Sequence, residues 1–462
     1  MPEIRSRYDA LVIGGGIAGI QAALDLAEQG FQILLVDKYP SIGGVMVGLN
    51  KVFPTLDCSS CICTPRMAEA AHHDRIQLQT YTEVAAVRKD GAGFEVQLTV
   101  KPRYMNEDAC IGCGECELAC PIDIPHEFDY GLGSRKAIYI PHGNAIPQKG
   151  VLMPEDCVFC GKCERICPTH CIDFTQEPQS VTTSVGAVVV ATGLDITPMG
   201  RKPEYGGGRL ANVMSPLQME RVQSSNGPYG RVLRPADGKI PRSIAYVQCA
   251  GSRDRSIGVP YCSRVCCMYA LKQALLLRHL VHDVEVTLFC MDIRAFGKGY
   301  EQFYRRAVRE GVRVVKGKVA KIQEAEDHDL VLRVERIDAD GALEEHRYDL
   351  VVLAQGLVPA WHAKGIVDIE EAQDGFVRTP ELKLNPSFTT LEGVFVAGVS
   401  AGPKDIPDAI VEAGEAAMAA ANHLVRIRWR AEPGAAESEA VEVEADLVGA
   451  GAGDPAAGGR FA

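Results

Sequence analysis

Four cysteines stand where a strand–turn–helix unit would ordinarily hold a nucleotide. An apolar run, Ile244 to Gln248, leads into Cys249; Cys262, Cys266 and Cys267 follow, and an apolar helical stretch runs from Ala270 to Leu280. A nucleotide turn needs closely spaced glycines so that a helix N-terminus can approach a pyrophosphate. Thiols at this density suit an iron–sulfur cluster or zinc instead. Their intervals, 13, 4 and 1 residues, match no ordinary zinc or ferredoxin rule, and the adjacent Cys266–Cys267 pair strains a symmetric ligand set. On the residues alone a cluster, zinc and buried structural thiols all stay open.

A second constellation is more specific. Cys110-x-x-Cys113-x-x-Cys116-x-x-x-Cys120-Pro121 is followed by Cys157-x-x-Cys160-x-x-Cys163-x-x-x-Cys167-Pro168. This is the bacterial two-cluster ferredoxin run, twice over, in which the fourth cysteine of each run ligates the other cluster. The expected ligand sets are therefore Cys110, Cys113, Cys116 and Cys167 for one [4Fe–4S] cluster, and Cys120, Cys157, Cys160 and Cys163 for the other. Residues 121–156 read as an added loop between the runs. Cys171 reads as a buried small hydrophobe and Cys290 as core. Cys58-x-x-Cys61-x-Cys63 has three readings: a dithiol near the flavin, ligands lent to a neighbouring cluster, or packed thiols.

A third motif binds the dinucleotide. Gly14-x-Gly16-x-x-Gly19 follows the strand-like Ala10 to Ile13 and opens a helical pattern; a second strand, Ile33 to Val36, ends at Asp37 and Lys38. The glycines permit the turn, the approach of a pyrophosphate and close helix packing, and Asp37 suits ribose hydroxyls. Ser184 to Gly193, with Thr192 and Gly193 at its end, and Thr389 to Gly402, with Gly398 inside it, resemble two segments of the two-dinucleotide-binding flavoprotein superfamily. The resemblance implies FAD held by both ends of the chain. Where that superfamily usually carries Asp on the ribityl chain, Val399 stands here. A long helix is expected from near Pro407 towards Arg428, its positive end aimed at the flavin. Lys404, just ahead of it, is the expected protein group beside the flavin.

These elements need a scaffold. At 462 residues and 47% hydrophobic, the chain has room for about three domains. Its net charge of −12 argues against nucleic acid as partner. Seventeen cysteines, mostly in C-x-x-C runs, read as metal ligation in a reducing, cytoplasmic compartment. No signal peptide or membrane span is visible, so no direct membrane insertion is expected. The expected organisation is an FAD-binding domain in three parts (1–103, 179–235, 350–431), a ferredoxin insert (104–178) and a second Rossmann-like domain (236–349). Residues 432–462 read as a disordered tail.

The segments Pro40 to Gly44, Phe53-Pro54-Thr55, Asp57 to Cys61, Gln248 to Arg253, Tyr261 to Cys267 and Gly402 to Asp408 closely resemble the A subunit of heterodisulfide reductase. Resemblance to that family implies an α/β, thioredoxin-reductase-like flavoprotein fold with an inserted α+β two-cluster ferredoxin domain. It also implies FAD at Gly43 and Gly44 among other contacts, and a further [4Fe–4S] cluster on Cys249, Cys262, Cys266 and Cys267. The implied partners are other subunits of such a complex and a redox donor protein, with a homodimer in view and flavin-based electron bifurcation as the family's activity. The chain is expected to start directly at the FAD domain and to lack a C-terminal ferredoxin domain. The rival reading is an NAD(P)H-dependent iron–sulfur flavoprotein like the glutamate synthase small subunit. It needs a second glycine fingerprint after the Ile244 strand, and Gly297-x-Gly299 lies one strand too late.

Overall fold

The computed structural model describes residues 4–429; the expected tail lies outside the described residues. Two seven-stranded sheets carry the described chain. The first begins with three parallel strands, ordered Ile76–Gln79, Ile33–Val36, Arg7–Ile13. Next to them runs a twelve-residue strand, Gln179–Val190, with two kinds of partner. Its first half pairs antiparallel with Gly93–Val100, the inner strand of a hairpin completed by Thr82–Asp90. Its second half pairs parallel with Val394–Val396, so both ends of the chain meet on it. The apolar run Val185 to Val190, buried on both faces, is what such a central strand requires.

The helix Ile17–Glu28 covers one face of this sheet and packs on the C-terminal helix Ile406–Arg426. Alanines at that contact (Ala22, Ala23, Ala413, Ala416, Ala420) bring the two backbones close and are fully buried.

The second sheet is ordered Val213–Met214, Leu350–Leu353, Ser243–Val247, Glu285–Cys290, Arg313–Glu324, Leu330–Arg336, Leu343–Tyr348. Its first five strands are parallel, as in a second Rossmann-like unit. Two of its strands fall in segments expected to belong to the FAD-binding parts, 179–235 and 350–431. The seam is instead the small ladder Leu194–Ile196 with Leu357–Pro359, where the chain crosses out and returns. Short apolar strands such as Val213–Met214 carry no mark of the sheet they join, so pattern alone misplaces them.

Between the hairpin and the long strand lies the cysteine-rich insert. Its helices, Glu115–Ala119 and Lys162–Ile166, are five residues each. The segment expected as a loop carries two small antiparallel ladders, Ile124–Pro125 with Ser134–Arg135 and Ile138–Tyr139 with Val151–Leu152.

Candidate flavin cavity and cysteine sites

The glycine turn is built for close approach. Gly14 has φ +106°, and a Cβ there would lie 2.4 Å from the Ala191 carbonyl oxygen; a Cβ on Gly19 would lie 1.8 Å from that of Gly14. The helix Ile17–Glu28 starts at Gly16 with no side-chain cap, leaving its first N–H groups open towards the cavity. Asp37 is buried, and its two carboxylate oxygens accept from Gly15 N (2.7 Å) and Tyr39 N (2.8 Å). Burial raises its pKa to about 6, against the pull of those donors and of Lys38.

These residues border a cavity of about 710 Å³. Gly14, Gly16, Asp37, Lys38, Gly44, Thr192, Gly193, Lys404 and Pro407 line it. Gly19, Gly43 and Gly398 stand behind the lining: Gly43 donates to the Gly15 carbonyl, and a Cβ on Gly398 would strike Ala18. Val399 lines the cavity without a polar side-chain atom, while Ser400 Oγ accepts from Gly193 N at 3.0 Å. At the start of Ile406–Arg426, Asp405 caps the helix by accepting from Asp408 N. Lys404 is buried, its pKa lowered by that burial, and its ammonium is paired with Glu412. An uncapped helix end, a buried carboxylate and a large, mainly apolar cavity fit a dinucleotide.

Sequence reasoning missed a second charged pair on this cavity. Lys272 and Glu220, both 2% exposed, join at 2.5 Å, and Lys272 Nζ also donates to the Lys51 carbonyl at 2.7 Å. Burial lowers the Lys272 pKa, and Glu220 opposes that shift. Gln273 donates to Glu220 and to the Pro216 carbonyl. The signal was present: Lys and Gln interrupt the otherwise apolar helix Cys266–Leu280, where a buried charge demands a partner.

The insert's thiols surround two small cavities. One is lined by Cys110, Cys113, Cys116 and Cys167, with Cys171 beside them. The other is lined by Cys120, Cys157, Cys160 and Cys163. Cys171 is buried with its sulfur 3.4 Å from that of Cys167. Each quartet thus lines one cavity, the grouping a cubane's four ligands require. Glycines give the backbone its turns here, with Gly114 and Gly161 starting the two short helices at positive φ.

The third quartet sits at the start of the helix Cys266–Leu280. Cys266 and Cys267 are its first two residues, and Cys249 and Cys262 act electrostatically on both. Burial raises the pKa of Cys266, that of Cys249 despite the pull of Arg253, and that of Cys267 to about 11. On the same helix Tyr269, Lys272 and Gln273 line the large cavity described above, roughly 5 to 10 Å along the axis from Cys266. Cys290 is buried on its strand. The Cys58-x-x-Cys61-x-Cys63 stretch divides: Cys58 and Cys61 form a disulfide at the start of the helix Ser59–His72, and Cys63 is packed in the core.

Fold and sites together define an FAD-dependent oxidoreductase joined to iron–sulfur clusters. Residues 9–100 match the family described as FAD dependent oxidoreductase, and residues 102–168 match the 4Fe-4S dicluster domain. The fold is that of thioredoxin reductase: the Lactococcus lactis enzyme superposes with a TM-score of 0.51 at 13% identity, covering 91% of this chain and 100% of that one. In sequence the chain is similar to heterodisulfide reductase A subunits. It is 45% identical over 429 residues to the A subunit of the H(2):CoB-CoM heterodisulfide,ferredoxin reductase of Methanothermobacter marburgensis. It is 46% identical over 430 residues to the second iron-sulfur A subunit of the CoB–CoM heterodisulfide reductase of Methanopyrus kandleri. Each match covers 92% of this chain and 65% of the relative, so the chain spans about 65% of their length. No helix among the described residues is long and apolar enough to cross a membrane.

Proposed function

We propose that this chain passes electrons between one FAD and three [4Fe–4S] clusters, within a heterodisulfide-reductase-like complex. The carrying observation is the cavity itself: the same walls that border it also carry cysteine quartets on their far sides or ends. FAD would lie with its pyrophosphate at Gly14, Gly16 and the open end of Ile17–Glu28, and its ribose on Asp37. When bound, FAD exchanges paired for single electrons and the clusters relay single electrons. The residues position and insulate: the buried Lys272–Glu220 pair sets an ammonium on the cavity wall, balanced by its carboxylate, and Lys404, likewise paired with Glu412, stands beside the capped helix end.

The ligand sets are two in the insert, as lined above, and Cys249, Cys262, Cys266 and Cys267 for the third. Partner subunits and a redox donor would dock where the cluster loops meet solvent, at Ile111, Leu118, Val158 and Phe159, all more than half exposed. A homodimer, bifurcation between acceptors of unlike potential and a cytoplasmic setting belong to the same reading. The Methanothermobacter marburgensis relative is named for H(2), the CoB–CoM heterodisulfide and ferredoxin. Anaerobically purified protein should hold about twelve irons per flavin. About eight irons would remove the third cluster. Rapid flavin bleaching by NADH or NADPH in stopped flow would replace the reading with a pyridine-nucleotide reductase.

A further inference from the structure

The segment between the two ferredoxin runs has two faces, and they look at different cofactor sites. Along Ile138 to Pro141 the side chains alternate as an extended chain dictates, and His142 follows on the same side as Pro141. Ile138 lines the cavity of Cys120, Cys157, Cys160 and Cys163, and Ile140 lines that of Cys110, Cys113, Cys116 and Cys167. Tyr139, Pro141 and His142 line the flavin cavity. One short extended segment thus stands between the cluster cavities and the flavin site.

On the flavin side, Phe128 from the same segment stacks on His142, with ring centroids 4.7 Å apart and planes 20° apart. The buried Arg221 guanidinium lies 4.3 Å over Phe128 and bonds Asp129 at 2.9 Å. Ile146 accepts from Ile42 N and donates to Ser41 Oγ, beside Gly43 and Gly44. The cluster side is tied as firmly: Lys149 Nζ donates to the Cys110 carbonyl (2.5 Å), and Ile140 N donates to Glu117 (3.3 Å).

Beyond these few bonds, the apolar support under this segment is small. The insert's buried core is Met105, Ile138, Leu152 and Ile172 with three cysteines, two of them proposed ligands. Its five-residue helices are far too short to persist on their own. A domain whose small core includes metal ligands gains much of its stability when the metal binds.

We infer that the inserted domain completes the flavin site, with Phe128, Tyr139 and His142 contacting FAD, so that cluster loading of the insert and retention of FAD are coupled. The inference rests on FAD occupying the cavity. Two ends of the molecule behave differently under it. The helix Cys266–Leu280 has fifteen residues and an apolar core of its own, so it stands without its cluster.

The test uses the full chain under anaerobic conditions. The double variant Cys113→Ser/Cys160→Ser strips the insert; Cys262→Ser/Cys266→Ser strips the other quartet. Flavin and iron per polypeptide, and the FAD release rate on dilution, are measured for each. Stripping the insert should weaken FAD retention roughly ten- to a hundredfold, and rebuilding clusters with iron and sulfide in chelator-treated wild-type protein should restore it. The Cys262/Cys266 variant should keep its FAD. His142→Ala and Phe128→Ala should loosen FAD at unchanged iron content, and they decide the matter if the double cysteine variant is insoluble. FAD held equally tightly without insert clusters, or in both single variants, overturns the coupling. Wild-type protein without stoichiometric FAD sinks the flavin reading itself, a distinguishable failure.

Discussion

Two strand–turn–helix units of this chain do opposite things with one geometry. In the first, Arg7–Ile13 passes through three glycines into Ile17–Glu28; in the second, Ser243–Val247 passes through a long cysteine-bearing loop into Cys266–Leu280. Both helices begin without a side-chain cap. An open helix N-terminus attracts negative charge, whether a pyrophosphate or a thiolate-bound cluster. The first turn brings the ligand close by removing side chains. The second fills the same place with them, at Cys249, Arg253 and Arg264, three non-glycine residues with φ near +60°. The Rossmann scaffold supplies the field, and the turn chooses the ligand.

The strongest way to break this comparison is at Gly19. A Cβ there meets the Gly14 carbonyl at 1.8 Å, backbone against backbone. Gly19→Val should therefore yield protein without flavin, scored by the flavin-to-polypeptide ratio; a wild-type ratio would show that the turn relaxes. The counterpart on the second turn, Cys266→Ala, should cost one cluster, about a third of the iron, with flavin retained. Cluster-specific electron paramagnetic resonance of the reduced protein identifies which signal vanishes.

Smaller in effect, but sharper in what it separates, is the buried pair on the second helix. Glu220→Gln leaves the Lys272 ammonium without its carboxylate at a site 2% exposed. Removing one partner of such a pair costs roughly 3–5 kcal/mol, whereas replacing both with apolar residues recovers most of it. Urea midpoints of Glu220→Gln and of Glu220→Leu/Lys272→Met should show that order. A flavin absorption band that moves in both variants would tie the pair to the cofactor as well as to stability.

How much of this could be read beforehand differs between the same two regions. The first unit announces itself: an apolar strand, three glycines and Asp37 are local, and local signals survive in a linear chain. The dinucleotide-binding unit and the inserted dicluster domain were legible for that reason, while the thioredoxin-reductase-like architecture followed from the resemblance to heterodisulfide reductase A subunits. Residues 121–156 were not, because their significance is the side of a strand they occupy, which depends on what packs against each face. Lys272, Glu220 and Arg221 were missed likewise: they come from two helices far apart in sequence and meet only after folding. The short strands Val213–Met214 and Leu350–Leu353 crossed the expected boundary because a short apolar run pairs with whichever sheet the crossover reaches.

The finest discrimination between the turns lies in pH. Burial raises the folded-state pKa of Asp37 from the ordinary 3.8 to about 6. In the flavin-free protein the folded state therefore holds a proton that the unfolded chain has released, so the stability this group contributes is present below pH 3.8 and is lost as pH rises through about 6. FAD reverses the trend for binding. A ribose hydroxyl donates to the ionised carboxylate and favours it, so affinity should fall as pH drops below about 6, by up to about tenfold per pH unit. Flavin fluorescence titrations across this range should bend near pH 6 in the wild type and lose the bend in Asp37→Asn. At the thiol turn the nearby carboxylate, Asp292, is held by Arg253, so iron content of the Cys249 quartet should not follow the same bend, and a shared inflection would mean that the two turns titrate as one site.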